Sequence, residues 1–343
     1  MSADRRAQLR VAIIGAAHWH FPNYAKALLE LPTVRIVGVA DPDTDVARRR
    51  ALEVGTTWTT DYREICVPGK VDFAVALGRH CDMAEQGQHL IDAGIPFAME
   101  KPCGLNAAEV GALARLAREN GSFVAVPLVW RQSDFISFVA ETAAGDRFEY
   151  LSLRIVSGHP DRYPQSGNPW MLDPALAGGG STVNLGVHLI DLFRVLAGGA
   201  AVEVESASMS NAAFGLPIED WSALVLRAGS ARCVAESGFL FPAPTGRYDM
   251  RFTIKTDRHY ILADPESTVV LDPAGGRVEA RTLAANEPTY RAFVHDTLDR
   301  YRRDVPPIAD LEDMEIVMRA VDRAYALAPL ETPSDRPTPR WEP

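Results

Sequence analysis

The sequence predicts an α/β protein in two parts. The first is an N-terminal dinucleotide-binding domain built on a parallel sheet. The second is a C-terminal α+β domain whose sheet is largely antiparallel and open. Three observations predict this. From residue 11 to about 129, short apolar runs alternate with amphipathic stretches, the signature of βαβ units. From residue 148 onward, strand-like runs follow one another, separated by breaks such as Ala228-Gly229-Ser230. The chain of 343 residues is long for one ordinary domain and comfortable for two. The expected divisions are 1–127, 128–330 and a proline-rich tail over 331–343.

Composition narrows the function classes. Apolar residues make up 47% of the chain, enough for real cores. The formal net charge of −10 argues against nucleic acid or an anionic membrane surface as partner. No apolar run reaches the length of a membrane span. The start, Met1 to Arg10, is polar and runs directly into a strand, unlike a signal peptide. The four cysteines, 66, 81, 103 and 233, form no CxxC pair, which suits a reducing cytoplasm and gives no zinc signature; the eight histidines lack ligand spacing, so no metal is expected.

Val11 to Ile14 reads as a buried first strand and Gly15-Ala16-Ala17-His18-Trp19-His20 as the turn after it. A helix follows from about Pro22 to Leu31, with proline in a permitted first-turn place. Arg35 to Ala40 is the second strand, closed by Asp41-Pro42. A βαβ unit of this length is the dinucleotide-binding arrangement, and Asp41 lies 26 positions after Gly15, near the usual spacing of about 20. A carboxylate there holds the two ribose hydroxyls of NAD and repels the 2′-phosphate of NADP, so NAD is expected over NADP. The glycine pattern is eroded: Gly15, Ala17 and His20 stand where G-x-G-x-x-G has three glycines. His18 and His20 either approach a phosphate or are ordinary loop histidines.

Val71 to Leu77 is the next strand and Met83 to Ala93 a helix ended by Gly94. Ile95 to Met99 is a short buried strand that stops at Glu100-Lys101-Pro102. Ionised groups at the end of such a strand are unfavourable unless they pair or face a ligand, so Glu100 and Lys101 mark either a site or a structural ion pair. Asn106-x-x-Glu109 resembles a capping box and opens a helix that stops at Gly121. Phe123 to Val129 closes the parallel half.

In the second half the expected strands are Phe148–Val156, Val202–Met209, Trp221–Leu226, Arg232–Phe239, Tyr248–Thr256 and His259–Ala263. A last helix runs from Leu311 to Leu327, with Asp310 as cap and Met314, Val317, Val321 and Ala324 as its apolar stripe. After Gly178-Gly179-Gly180, a helix from Ser181 to the glycines at 198–199 carries two faces. Leu185, Leu189, Leu192 and Leu196 form the buried one. Asn184, His188 and Asp191, at i, i+4 and i+7, form a polar stripe facing solvent or a cavity.

Taken together, Val39-Ala40-Asp41-Pro42, Asp61-Tyr62, Glu100-Lys101-Pro102, Trp170, Ala177 to Gly180 and Asn184-x-Gly-x-His188-x-x-Asp191 resemble the Gfo/Idh/MocA oxidoreductases (glucose–fructose oxidoreductase, inositol dehydrogenase and relatives). The likeness runs from about residue 10 to 330. It implies an N-terminal Rossmann domain for NAD(P), a C-terminal domain whose open sheet makes homo-oligomer contacts (dimer or tetramer), and a site between them. It implies that Lys101 touches the substrate hydroxyl and the nicotinamide ribose, that the bond before Pro102 is cis, and that His188 takes the hydroxyl proton. Gly15, Ala16, Ala17, His18, Asp41, Glu100 and Lys101 are the expected cofactor contacts. Trp130, Arg131, Tyr163 and Trp170 are candidates for the substrate pocket, with Asn184, where relatives carry Asp. Gly78 to Met83 replaces the usual Thr-Pro-Asn-x-x-His, which puts Arg79 and His80 near the cofactor's edge.

The residue types suit alcohol oxidation. That reaction needs a base for the hydroxyl proton and a cation for the developing alkoxide. Histidine fits the first role, a partly buried lysine the second, and Glu100 is placed to orient the lysine. The leading expectation is hydride transfer between NAD and a hydroxyl carbon of a sugar, inositol or polyol. A non-catalytic nucleotide- or sugar-binding sensor and an NAD-assisted glycoside cleavage are the alternatives.

Overall fold

A computed structural model describes residues 8–199, 201–242, 248–279, 282–283 and 286–330. Most of the polar start, and the proline-rich stretch 331–343, lie outside the described residues.

The N-terminal half is a parallel six-stranded sheet. Its elements are β1 (Leu9–Ile14), α1 (Phe21–Leu29), β2 (Val34–Ala40), α2 (Thr44–Val54), β3 (Trp58–Thr59), β4 (Phe73–Ala76), α3 (Met83–Asp92), β5 (Phe97–Met99), α4 (Ala107–Glu119) and β6 (Val124–Ala125). The strand order is β3-β2-β1-β4-β5-β6, with every pairing parallel. β1 is central, and Val11 to Ile14 are fully buried, as a strand covered by helices on both faces must be. The strand order reverses between β1 and β4, where ligands bind in such sheets.

Local chemistry sets the helix ends. Asp43 caps α2 by accepting from Asp45 N and Val46 N, and Gly55 ends it at φ +71°. Asn106 caps α4, accepting from Glu109 N at 3.0 Å; Glu109 in turn accepts from Leu105 N at 2.8 Å and from the Asn106 side-chain amide at 3.3 Å, rather than from the cap residue's backbone N–H. The expected strand 123–129 is shortened to two residues. Val126 N is already bonded to Ala309 O, and Pro127 has no N–H to continue a ladder.

The second half comprises α5 (Asp134–Thr142), β7 (Phe148–Val156), the one-turn helices α6 (Arg162–Gln165) and α7 (Pro174–Ala177), a π turn over Thr182–Gly186, α8 (Val187–Leu196), β8 (Glu203–Ser210), β9 (Trp221–Ala228), β10 (Ala231–Gly238), β11 (Asp249–Thr256), β12 (Tyr260–Ala263), β13 (Thr268–Asp272), β14 (Gly275–Glu279), α9 (Asn286–Arg303) and α10 (Leu311–Leu327). Its eight strands run in the order β14-β13-β12-β11-β7-β10-β9-β8. All pairs are antiparallel except β10 with β7, so the sheet is mixed but largely antiparallel.

α2, α5, α9 and the β13–β14 hairpin were not expected individually. α9 hides behind a strongly charged sequence. It packs on α1, while α10 packs on α4, α8 and β8, so the last two helices clasp the first half to the second. Asp310 caps α10 in a full capping box with Asp313.

Candidate active site

β5 delivers Glu100 and Lys101 to the junction of the two halves. The Lys101–Pro102 bond is cis. Glu100 is fully buried and Lys101 only 2% exposed. The Glu100 carboxylate does not orient the lysine ammonium, contrary to expectation. Its Oε1 lies 2.9 Å from His20 Nδ1 and accepts from Tyr24 Oη at 3.1 Å, while Oε2 accepts the backbone N–H of Lys101 at 3.1 Å. Burial pushes Glu100 up, but His20, His18 and Lys101 together outweigh it and hold the carboxyl below its usual range.

Lys101 Nζ turns instead to Asn184. It donates to Oδ1 at 2.6 Å and to the Asn184 carbonyl at 2.8 Å. The Asn184 carbonyl is open to the lysine because the chain there is a π turn, a distortion that recurs at functional sites. Asn184 Nδ2 donates to Tyr163 Oη. Asn184 therefore positions the lysine; no bond joins it to His188 among the described residues. Burial lowers Lys101 to about 8, against a smaller opposing pull from Glu100.

His188 is 9% exposed and its Nδ1 is buried with no hydrogen-bond partner. Burial, with Lys101 adding to it, lowers the imidazole to about 3, so the ring is neutral near pH 7. Of the two surroundings expected for the stripe Asn184, His188 and Asp191, solvent or a cavity, it is not solvent: all three are buried. Asp191 leaves the group. It forms a buried pair with Arg131, at 2.6 and 2.9 Å, and Asp313 and the Ile308 carbonyl hold the same guanidinium. Arg131, expected at the substrate pocket, is thus held in a structural ion pair and is not among the described residues that line the cleft.

Lys101, Asn184 and His188 line one cleft with Trp19, His20, Trp130, Arg162, Tyr248, Thr289 and Tyr290. The cleft is narrow, with about 50 Å³ of solvent-accessible space. Trp170, expected in the pocket, stands behind it. Its Nε1 donates to Asn168 Oδ1, and its ring packs against His18, Trp19 and His80. His80, expected at the cofactor's edge, is also turned inward, with Nδ1 2.7 Å from Ala177 O. Trp19, Arg162, Tyr248, Thr289 and Tyr290 were missed by sequence reasoning. Tyr290 comes from α9, whose charged pattern concealed the helix itself.

A second groove crosses the carboxyl ends of β1, β2 and β4. It is lined by Gly15, Asp41, Asp61, Tyr62, Arg63, Arg79, Asp82 and Glu85, among others. Gly15 sits at φ +75°, and a Cβ there would fall 2.6 Å from the Leu77 and Gly78 backbone, so the turn tolerates only glycine. Asp41 Oδ2 accepts Ala17 N at 2.7 Å and Oδ1 accepts Asp43 N at 3.0 Å, which braces the carboxylate at the rim. Ala16 is buried, its N–H shared with Ala40 O.

The turn's own amides offer little to a phosphate. Ala17 N serves Asp41, and His18 N donates to Gly15 O. Side chains remain: Arg63 and Arg79 line the groove, Arg79 paired to Asp82. The groove fits a dinucleotide whose phosphates are met by side chains rather than by a glycine cradle. Its lining holds four carboxylates against two guanidiniums, a field hostile to an extra phosphate on the ribose. His18, His20 and Glu100 also place three ligand-type atoms within 4.8 Å of one another, a grouping that their spacing in sequence concealed. His20 and Glu100 already bond to each other there, and Tyr290 Oη lies 2.8 Å from His20 Nδ1, so the trio works as a buried strut.

Comparison with known proteins agrees with this architecture. Residues 9–128 match the family described as "Oxidoreductase family, NAD-binding Rossmann fold", and residues 149–261 match the "GFO/IDH/MocA C-terminal domain". A protein of Amycolatopsis mediterranei that carries the provisional name UDP-kanosamine synthase oxidoreductase subunit is 28% identical over 198 residues, which is 56% of this chain and 53% of that one. This chain's match therefore spans about half the length of that curated relative. Among solved structures, a levoglucosan dehydrogenase in complex with NADH and levoglucosan superposes with a TM-score of 0.80 at 16% identity, over 93% of this chain and 97% of that one. A UDP-N-acetylglucosamine 3-dehydrogenase from Acidithiobacillus ferrooxidans superposes with a TM-score of 0.76 at 18% identity, over 94% and 98%. At such identities the structural likeness establishes the fold.

Proposed function

Because the chain belongs to the Gfo/Idh/MocA oxidoreductase family, we propose that it transfers a hydride between NAD and a hydroxyl-bearing carbon of a sugar, inositol or related polyol. The observation that carries this reading is the meeting of Lys101, Asn184 and His188 in one cleft beside the β1 turn. The sugar dehydrogenases among the structural neighbours support the substrate class.

Bound NAD supplies the hydride acceptor or donor. The chain supplies the rest. His188 is a neutral ring whose buried Nδ1 has no partner among the described residues, the form that accepts a hydroxyl proton. Lys101, still cationic at pH 7, steadies the charge that develops on the substrate oxygen. Asn184 fixes where that ammonium points. Asp41 receives the ribose hydroxyls and sets NAD above NADP. Burial at the junction keeps water from the reacting carbon.

Further parts of the reading rest on less. The open face of the β7–β14 sheet is the candidate homo-oligomer surface. No described helix is long and apolar enough to cross a membrane, and the four cysteines are free, which supports a cytoplasmic, reducing location.

The test is to titrate the purified protein with NADH and NADPH by tryptophan fluorescence quenching, then to screen sugars, inositols and their acids with NAD. NADH binding tighter than NADPH, and turnover of at least one polyol, is the expected result. Quenching by neither nucleotide would overturn the proposal in favour of a non-catalytic relative.

A further inference from the structure

The cleft beside Lys101 is electropositive in a chain whose formal net charge is −10. Its lining includes Lys101 and Arg162, and none of the described residues that line it is acidic. Glu100, next in sequence to the lysine, is spent on His20 and Tyr24. Two positive groups thus face one space with no carboxylate among its described lining residues, Glu100 acting on Lys101 only from behind.

Arg162 is the unexplained member. It opens α6 and is half-buried. Its Nη2 donates to Tyr163 Oη at 2.7 Å, and its guanidinium lies over the Tyr163 and Phe239 rings, 4.7 and 5.8 Å from their centroids. Its Nε is buried with no partner among the described residues. Tyr163 and Tyr248 bond to it and hold its charged form against burial, and among the described residues no carboxylate pairs with it. The contrast with the chain's other buried arginines is clear. Arg131 is held by Asp191 and Asp313, and Arg194 by Asp313. A guanidinium drawn out of water without a counter-ion is unfavourable, and a ligand anion relieves it. With its guanidinium set over two aromatic rings, the fork offers the donors that suit a carboxylate or phosphate.

We propose that the sugar substrate carries an anionic substituent, a carboxylate or a phosphate, and that Arg162 binds it. This rests on the polyol oxidoreductase reading and adds the substrate's charge to it. The Arg162 charge also lowers Lys101 and His20, so all three groups share one field. An anion on Arg162 cancels part of that field and favours the charged form of Lys101. Substrate binding therefore strengthens the protonation state that the reaction needs.

Calorimetric binding to the NAD-loaded protein tests the proposal, with D-glucose, D-glucuronate, glucose 1-phosphate and glucose 6-phosphate as probes. At least one anion should bind tighter than glucose by about ten- to a hundredfold, the worth of a charge-assisted pair. Preference for glucuronate identifies a carboxylate, and preference for either phosphate identifies a phosphoryl group. Arg162→Met should abolish the preference and Arg162→Lys keep part of it, with NADH quenching as the check on folding. Equal binding of glucose and all three anions overturns the proposal, as does a preference that survives Arg162→Met. Should Arg162→Met fail to fold, the wild-type ratio and Arg162→Lys decide. Turnover is scored separately. Anion preference without turnover of any probe upholds Arg162 and removes the oxidoreductase reading; turnover without anion preference does the reverse.

Discussion

Lys101 Nζ is held by both oxygens of Asn184, the side-chain Oδ1 at 2.6 Å and the backbone carbonyl at 2.8 Å. An amide fixes the ammonium without neutralising it, so the positive charge remains for the substrate oxygen. Burial lowers Lys101 to about 8, and activity that depends on its cationic form should decline above that pH. Asn184→Asp places a carboxylate on the ammonium, and opposite charges this close move a pKa by about one to three units. The alkaline limb of the pH–rate profile should shift upward by at least one unit in the variant. A limb that stays in place would show that another group sets it.

Removing the lysine tests the same relationship from the stability side. The folded pKa of Lys101 lies below its unfolded value, so the unfolded chain binds the extra proton between pH 8 and about 10.5. Stability contributed by this group is therefore missing at neutral pH and rises with pH across that window. Lys101→Met should abolish turnover and leave Tm at pH 7 unchanged or higher by a degree or two, a site held at the expense of stability. A Tm several degrees lower would mean that the Asn184 contacts outweigh the burial of the charge.

Much of this was legible in the sequence. The parallel half follows from apolar runs such as Val11 to Ile14 that are buried on both faces, and Glu100-Lys101 at a strand end signals either a site or a structural ion pair. The polar stripe on the helix after Gly180 was harder to read. Spacing of i, i+4 and i+7 assumes an unbroken α-helix, and the π turn over Thr182–Gly186 breaks that count, so Asp191 goes to Arg131 while Asn184 and His188 share the cleft. Arg131 was misread for the same reason: nothing local announces a partner at Asp313, far along the chain. Arg162 and Tyr290 sit on a one-turn helix and on a charged helix, neither of which carries a periodic signal.

Acid stability should reveal the buried histidines. His80 and His188 are both lowered to about 3 by burial, and His18 is lowered well below its ordinary value by burial. The unfolded chain protonates these rings near pH 6.5 and the folded chain does not, so stability is lost as pH falls from about 6.5 toward 3. His80→Gln keeps the Ala177 contact and removes one titrating ring. Its Tm should fall less steeply with acid than the wild type over that window. Identical slopes would mean that His80 is protonated in the folded state.

Asp41 carries the choice of nucleotide. Asp41→Asn deletes the charge at the groove's rim and keeps one of the two acceptors that serve Ala17 N and Asp43 N. The ratio of NADPH to NADH affinity should rise at least about tenfold, the effect expected for one like charge beside a phosphate in a partly enclosed groove. Fluorescence titration with both nucleotides measures it. An unchanged ratio would move the discrimination to Asp61, Asp82 and Glu85.

Glu219 has no part in the cleft, yet it places the helix that carries Asn184 and His188. Its buried carboxylate accepts from Gly180 N at 2.9 Å, Thr182 N at 2.8 Å and Tyr325 Oη at 2.7 Å. Those amides belong to the start of the π turn, where backbone donors have no helical partner and an anion is favoured. A Cβ on Gly180 would fall 2.1 Å from the Glu219 carbonyl, so the two segments are locked together. Glu219→Gln exchanges one acceptor oxygen for a donor facing an N–H or hydroxyl. Turnover should drop tenfold or more while NADH quenching, which reports the other half of the molecule, is retained, because a small shift of this turn swings both the lysine anchor and His188. Equal losses in NADH binding and turnover would instead point to general unfolding, and an unchanged kcat would show that the glycines alone set the turn.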